Sequence, residues 1–486
     1  MLFQSYAFLL FLPATFLLHW ILRGRNWRNA VLLFASYFFY AWWDWRFLSL
    51  ILISTAVDYF AGRNMQKAGK KNWLILSILV NLGILGFFKY SGFFLDSWYQ
   101  LWNSLGLQMS KPLWNVVLPV GISFYTFQTL SYTIDCYYRR IEPVQNLLTF
   151  ASFVSFFPQL VAGPIERASH LIPQIANERF LNFNNFRKGI RLMLIGFMKK
   201  VLIADTCAIW VDLIFGNSDQ LTPPILLVGA ILFSFQIYCD FSGYTDIARG
   251  TARLFSIDLS ANFNRPYFAR NIGEFWRRWH ISLTTWFRDY VYIPLGGGYG
   301  SILRTLSNVI IVFLVSGLWH GANWTFLLWG VLHATLYIPT VLRRRLKEKN
   351  SRPKIEPVAY IPVRKLFQTL FTFGLVTLAW IPFRADNVAH AFQYFHRLFD
   401  TALWKQSSWS MFTSLATNDP KAVPLHFVFL MIFGLVIFEF ISKKQNILRF
   451  WESKWAVPAR WLVYGIIISQ VWFRIGTPQG FIYFQF

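Results

Sequence analysis

A length of 486 residues would ordinarily suggest a few soluble domains, but 55% hydrophobic content, 20% aromatic content and only 14% charged residues exclude that, at a mean hydropathy of +0.40. The net charge of +24 does not describe a nucleic-acid surface either, because the Lys and Arg residues sit in short, separated loops rather than one patch.

Apolar runs recur at 3–22, 30–43, 47–61, 73–94, 117–134, 147–161, 189–210, 225–238, 306–318, 324–341, 366–381, 425–441 and 461–473. A bilayer core is crossed by about 20 apolar helical residues, because every backbone amide must be satisfied within the helix. Several runs are shorter and fit helical hairpins or re-entrant pieces. The expected fold is therefore an all-α polytopic integral membrane protein with roughly 10 to 13 membrane-inserted helices. It reads as one transmembrane domain over 1–486, with N-terminal helices at 1–110, a core at 111–345 and C-terminal helices at 346–486.

The first run lacks a basic leader and a small-residue cleavage site, so it reads as a retained span. Basic loops follow it: Arg23, Arg25 and Arg28; Lys67, Lys70 and Lys71; Arg343, Arg344 and Arg345 with Lys347 and Lys349; Lys443 and Lys444. Short Lys/Arg-rich loops stay cytoplasmic, which predicts an extracytoplasmic N-terminus, and the patches suit an anionic ligand or lipid headgroups. Segment 157–167 is broken by Pro158 and Pro164, a pattern tolerated at membrane depth only where it is buried or lines a cavity. Gln128 and Asp135 lie on a similar apolar segment. Asp240 and Asp246 follow the run at 225–238 and predict a helix end with structural pairing to Arg249.

The most polar interval inside the apolar bulk is 258–300. From Gly273 onward Trp276, Trp279, Leu283, Trp286 and Tyr290 share one helical stripe, with Glu274, Arg278, Ser282, Thr285 and Asp289 opposite. This predicts one interfacial helix, ended by Pro294 and Gly296–Gly298, with His280 at the border of the aromatic stripe. Segment 343–364 reads as a basic cytoplasmic loop, and 401–423 as an outside or interfacial one. Cys136, Cys207 and Cys239 have no CxxC spacing and read as small core residues.

His320 stands in Ser316-Gly-Leu-Trp-His-Gly-Ala-Asn-Trp324 between apolar runs. A lone histidine among aromatic residues is ordinarily a packing residue. An ionisable group at bilayer depth is nonetheless a functional candidate. Gly317 and Gly321 clear space beside it for a ligand or a second helix, while Trp319, Trp324 and Asn323 supply walls and hydrogen-bond donors. A desolvated, neutral imidazole suits a general base acting on a hydroxyl. Phosphate-loop, zinc-protease-helix and nucleophile-elbow motifs are absent, and neither His280 nor His320 has paired ligands at metal-site spacing. No metal is expected.

The block from Arg270 to Gly297, containing Trp276-Arg-Arg-Trp-His280, and the second block Leu318-Trp-His-Gly321 resemble the paired histidine blocks of the membrane-bound O-acyltransferases. The resemblance is nearest to the bacterial branch that acts in alginate O-acetylation. It extends over the whole chain through 118–136, 156–167, 238–247, 380–385 and the terminal 481–486. It implies helices around a funnel-like catalytic core in a bacterial inner membrane, with His320 catalytic and His280 a second active-site residue. It also implies acetyl-CoA as donor substrate with no tightly bound cofactor. The expected acceptor is an exported polysaccharide, reached directly or through a periplasmic SGNH-type acetyltransferase working with the export machinery. Arg277, Arg278 and Arg288 suit coenzyme A phosphates, or equally lipid headgroups. Trp279, Trp319, Asn323 and Asp240 complete the expected donor- and substrate-binding set. Two alternatives stay open: D-alanyl transfer to teichoic acid from a carrier protein, and a transporter without catalysis.

Overall fold

In the computed structural model the chain is all-α, with no strand among the described residues. These are all residues except 67–68, 108–109, 111–115, 350–360, 411, 414–422, 443–455, 475–479 and 483–486. Lys67, Lys443, Lys444, part of the 401–423 loop and the last four residues of the terminal motif therefore lie outside the described residues.

Among the described residues, five helices are long and apolar enough to cross a membrane: Lys70–Ser104, Pro223–Leu254, Ile302–His320, Trp324–Arg345 and Val363–Arg384. Tyr6–Ile21 and Leu425–Ile441 are shorter apolar helices. The other apolar runs at 30–43, 47–61 and 147–161 fold as helices of 9 to 17 residues. The chain divides into two compact units, Met1–Met193 with Tyr244–Ala261, and Leu194–Gly243 with Asn262–Gln485.

The first unit holds α1 (Tyr6–Ile21), α2 (Arg25–Ala41), α3 (Leu48–Asn64), α4 (Lys70–Leu85), α5 (Ser91–Ser104), α6 (Ile122–Tyr137), α7 (Leu147–Ser155), α8 (Phe157–Leu160) and α9 (Ala168–Ala176). Helices α10 (Phe183–Phe197) and α12 (Pro223–Leu254) are divided between the units. Side-chain caps start several elements: the Ser5 hydroxyl accepts from the Phe8 N–H at 3.2 Å, and Asn146 Oδ1 from the Thr149 N–H at 2.9 Å. Where α3, α4 and α6 meet, Asp58 is fully buried and accepts from Ser77 (2.6 Å) and Asn81 (2.9 and 3.0 Å), with the Ser54 hydroxyl 3.4 Å away. Thr129 and Ser54 in turn donate to Asn81 Oδ1. Every helix of the trio contributes to one polar knot, which fixes their register more tightly than apolar contact would.

The proline-broken segment is buried as expected. Gln128 and Gln159 both donate to the Phe153 carbonyl, at 2.6 and 3.2 Å, satisfying backbone that α7 leaves open at its end. Glu166 is fully buried and accepts from Ser260 and from His170 Nδ1 at 2.7 Å. The hydrogen bond to Glu166 raises the His170 pKa above its ordinary 6.5.

The second unit holds α11 (Asp205–Gly216), α13 (Ile272–Trp276), α14 (Ile281–Phe287), α15 (Ile302–His320), α16 (Trp324–Lys349), α17 (Ile361–Arg384), α18 (Val388–Phe399), α19 (Leu425–Ile441) and α20 (Val457–Arg474). A π-helical turn, Met198–Ala204, leads directly into α11. Helix α15 rises about 28 Å, one bilayer core, and folds back on α16 through residues 321–323. Gly317 and Gly321 make that hairpin possible: a Cβ at Gly317 would lie 2.3 Å from the Phe326 carbonyl oxygen, and one at Gly321 would lie 2.1 Å from the Phe326 ring. The space they clear is taken by the second helix.

Three expectations are corrected here. The interfacial helix over 273–290 is not continuous: α13 stops at Trp276 and α14 starts at Ile281, with His280 between them in the left-handed region at φ +42°. The helix end at Asp240 does not form either. Asp240 finds partners within the fold, so nothing diverts the backbone, and α12 runs on through Asp246 to Leu254; Arg249 donates instead to the Leu259 carbonyl at 3.1 Å. The basic stretch from Arg343 continues α16 to Lys349 rather than forming a loop, as strong helix formers with no Gly or Pro allow.

Candidate active site

The two histidines singled out from sequence come together in the second unit, their ring centroids 6.5 Å apart. His320 is the last residue of α15 and is buried. Its ring is walled by Trp319 (5.1 Å), Trp329 (5.0 Å) and Phe383 (5.3 Å). His280 packs edge-on against Phe241 at 4.6 Å and Trp319 at 5.8 Å. Neither of its ring nitrogens has a hydrogen-bond partner among the described residues. Burial pushes its pKa down from 6.5 to about 3, so the ring is neutral at physiological pH.

The left-handed turn that aims His280 inward is held by a strap at Asn262. The Ile281 N–H donates to the Asn262 carbonyl at 2.8 Å, and the Ser282 hydroxyl donates to Asn262 Oδ1 at 2.6 Å. One step along, the Asn264 N–H donates to the Arg278 carbonyl at 2.9 Å. These bonds offset the cost of a non-glycine residue at positive φ, roughly 1–3 kcal/mol. Asn271 caps α13 by accepting from the Glu274 N–H at 2.8 Å. Glu274 then receives Arg278 at 2.6 Å and Arg270 at 3.3 Å.

The other expected residues separate. Trp279 is buried against Trp380 at 5.0 Å and Phe263 at 5.1 Å, and so belongs to the wall behind His280. Trp319 lies between the two histidines. Asn323 is spent on structure: its Oδ1 accepts from the Thr325 N–H at 3.1 Å and its amide donates to the Asp386 carbonyl at 3.2 Å. Trp324 is 54% exposed and does not wall His320. Arg277 and Arg288 are exposed, Arg288 with Asp289 at 2.7 Å. Asp240 is buried and pairs with Lys200 at 2.7 Å, not with Arg249; its other oxygen accepts the Ile482 N–H at 2.7 Å.

Sequence reasoning missed two groups. His333 on α16 is fully buried among Trp329 (4.8 Å), Trp276 (5.0 Å) and Trp380 (5.8 Å), with both nitrogens unpartnered among the described residues. It carries the same signal as His320, an ionisable residue within an apolar run. Lys199 and Lys200, consecutive within the run at 189–210, are both buried. Lys199 lies over the Tyr238 ring at 5.7 Å, and Tyr238 donates to the buried Glu439. Lys200 bridges Asp205 (2.8 Å) and Asp240 (2.7 Å). The site thus has an aromatic, nearly uncharged half containing three histidines and an ionic half centred on the π turn.

Comparison with known proteins gives three kinds of likeness. The description of the MBOAT, membrane-bound O-acyltransferase, family matches residues 96–353, which include both histidine blocks and the π turn. A protein named probable alginate O-acetylase from Pseudomonas aeruginosa is 40% identical over 442 residues, covering 90% of this chain and 82% of the relative. A peptidoglycan O-acetyltransferase of Helicobacter pylori is 37% identical over 416 residues, covering 78% and 76%. A teichoic acid D-alanyltransferase of Streptococcus thermophilus is 30% identical over 292 residues, covering 54% and 68%.

Proposed function

The chain belongs to the membrane-bound O-acyltransferase family, a multi-pass membrane O-acyltransferase, and from that premise we propose that it moves an acetyl group from cytoplasmic acetyl-CoA toward hydroxyls of an exported polysaccharide. The transfer runs across a bacterial inner membrane, with the N-terminus outside, and ends on the glycan directly or on a periplasmic SGNH-type acetyltransferase. The observation that carries this reading is the pair of buried histidines 6.5 Å apart in an aromatic enclosure.

The chemistry balances on that pair. A neutral His320 nitrogen takes the proton of the acceptor O–H as the oxygen attacks the thioester carbonyl. The tetrahedral intermediate carries its charge on the former carbonyl oxygen. Neutral His280 keeps an N–H to donate to that oxyanion, and a dry surround makes such a donor count for more than it would in water. Collapse breaks the C–S bond, and the imidazolium returns its proton to the departing coenzyme A thiolate. The aromatic walls exclude the water that would hydrolyse the thioester instead. Arg277 and Arg288, exposed on the His280 segment, are the groups we assign to the donor's phosphates.

An acetyl donor is favoured over a D-alanyl carrier because the O-acetyltransferase relatives align over 78–90% of this chain and the D-alanyltransferase over 54%. The test uses purified protein in proteoliposomes with radiolabelled acetyl-CoA. Transfer of label to a hydroxyl acceptor is expected, with a loss of about 10²- to 10⁴-fold in His320→Ala while the variant inserts normally. Wild-type rates in His320→Ala would remove the catalytic assignment. Intact acetyl-CoA crossing the bilayer, with no transfer, would make the protein a carrier.

A further inference from the structure

The first basic stretch of the chain, Arg23, Arg25 and Arg28, has no part in the acyl-transfer chemistry. It lies in the first unit, where the start of α2 meets the end of α9. We propose that this corner holds the phosphate headgroup of an anionic phospholipid whose acyl chains lie along α1. The site goes beyond the acyl-transfer reading and stands without it.

The corner gathers positive charge that the protein itself does not balance. Arg179 joins the stretch from 150 residues away in sequence: its Nη2 donates to Asn29 Oδ1 at 2.6 Å, and its carbonyl accepts from Arg28. Arg179 Nη1 also donates to the Gln174 and Ile175 carbonyls at 3.0 and 3.1 Å, and Arg25 donates to the Ala176 carbonyl at 3.1 Å. None of Arg25, Arg28 and Arg179 makes an ion pair among the described residues. Arg46, Arg140 and Arg253 of the same unit, by contrast, pair with Asp44, Asp135 and Asp258. Glu178, beside Arg179 in sequence, is exposed and makes no ion pair among the described residues either. The carbonyl end of α9 supplies about half a negative charge, which falls well short of three guanidiniums. Arg179 is moreover 6% exposed, and its buried Nε has no hydrogen-bond partner among the described residues. A buried cation is costly unless a counter-charge lies close to it.

The donors left over suit a phosphate. Arg25 spends Nε on Asn26 and Nη1 on Ala176, and Arg28 spends Nε on Leu22 and Nη1 on Arg179. Nη2 of each remains unused among the described residues. The two arginines are three apart on α2 and share a face. Two guanidinium edges side by side match the two unesterified oxygens of a phosphodiester.

The surroundings select a lipid over a soluble anion. The apolar helix α1 ends at Ile21, four residues before Arg25, so the arginines come where the chain leaves hydrocarbon. Leu17, Leu18 and Ile21 on its last turn are exposed and offer acyl chains a surface. Trp27 (66% exposed) and Phe180 (72% exposed) stand beside Arg28 and Arg179 in the chain. Exposed aromatic rings among basic residues are the composition of headgroup depth. A free phosphate would use the arginines alone, whereas an anionic phospholipid uses both parts.

The experiment follows thermal unfolding of the full-length protein in dodecyl maltoside. The protein is titrated with dihexanoyl-phosphatidylglycerol, dihexanoyl-phosphatidylcholine or inorganic phosphate. Phosphatidylglycerol should raise the melting temperature in a saturable way, and phosphatidylcholine should not. The double variant Arg25→Gln/Arg28→Gln should bind phosphatidylglycerol about tenfold more weakly. Arg46→Gln removes an exposed charge that is already paired with Asp44, and should bind as wild type does. Should the double variant not fold, Arg25→Gln alone carries the test, because Arg25 is exposed; a loss of about threefold is expected there. Equal responses to the two lipids, unchanged affinity in the Arg25 and Arg28 variants, or an equal loss in Arg46→Gln would overturn the proposal. So would inorganic phosphate protecting as well as phosphatidylglycerol, which would make the corner a free-anion site. No acetyl transfer is read, so failure here leaves the acyl-transfer reading intact, and failure there leaves the lipid site standing.

Discussion

Replacing Gly317 with Ala puts a single methyl group where the α15–α16 hairpin has no room. The new Cβ would lie 2.3 Å from the Phe326 carbonyl oxygen and 3.0 Å from its carbon, whereas ordinary contact begins at 3.4 Å. The obstacle is backbone, so no side chain can swing aside, and the helices must part by about 1 Å. Overpacking of this kind costs about 1–3 kcal/mol. His320 is three residues on, at the end of the same helix, so the parting moves the imidazole against Trp329 and Phe383. A misplacement near 1 Å costs on the order of 10² in rate. We therefore expect Gly317→Ala to lower acetyl transfer about 10²-fold, with a reduced melting temperature in detergent. Gly374→Ala is the matched control: it lies on α17 with nothing within 4 Å of its Cβ and should be neutral in both assays. If Gly317→Ala transfers acetyl groups at the wild-type rate, the close approach does not position His320 and the geometry argument fails.

His280 occupies a backbone conformation that suits Asn or Gly and penalises branched residues. His280→Asn should keep the wild-type melting temperature within a few degrees, whereas His280→Val should lose about 1–3 kcal/mol; equal stability of the two would mean that the left-handed turn is not required. Stability should also depend on His170. The hydrogen bond to Glu166 raises its folded pKa above the usual 6.5, so its stabilising contribution is complete below that value and disappears as pH rises through the folded pKa. Melting curves across about pH 5.5 to 8.5 should fall more steeply for wild type than for His170→Gln, and parallel curves would refute the coupling.

Runs of apolar residues made the helical membrane fold legible, because length and hydropathy report directly on the cost of exposing backbone to lipid. His320 was legible for the same reason, and His333 would have been had the same test been applied to it. The break at His280 was not, since Trp276, Trp279, Leu283 and Trp286 keep helical spacing across it and one residue's φ leaves no periodic trace. Nor were the partners of Asp240. Local reasoning offered Arg249, nine residues away, but the fold supplied Lys200 and the amide of Ile482. Asn323 follows His320 closely enough to look like a donor at the reaction centre, yet the start of α16 needs a cap and takes it. Local spacing says which groups are chemically able; contacts between distant segments decide which of them meet.

The π-helical turn at Met198–Ala204 has a bearing on how such a site can be inherited or lost. A turn bonded i to i+5 stores one residue more than an α-helix of the same rise needs. Removing Met198 or any one of Val201–Ala204 lets the turn close into regular α-helix, and side chains within it shift by about 100° relative to the flanking segments, which keep their phase. Lys199 and Lys200 would then no longer serve Tyr238 and the paired carboxylates together, although neither lysine had changed. The ionic half of the centre is therefore encoded partly in the number of residues between two fixed points. A catalogue of point substitutions would pass over that information, while the loss of one codon would erase it.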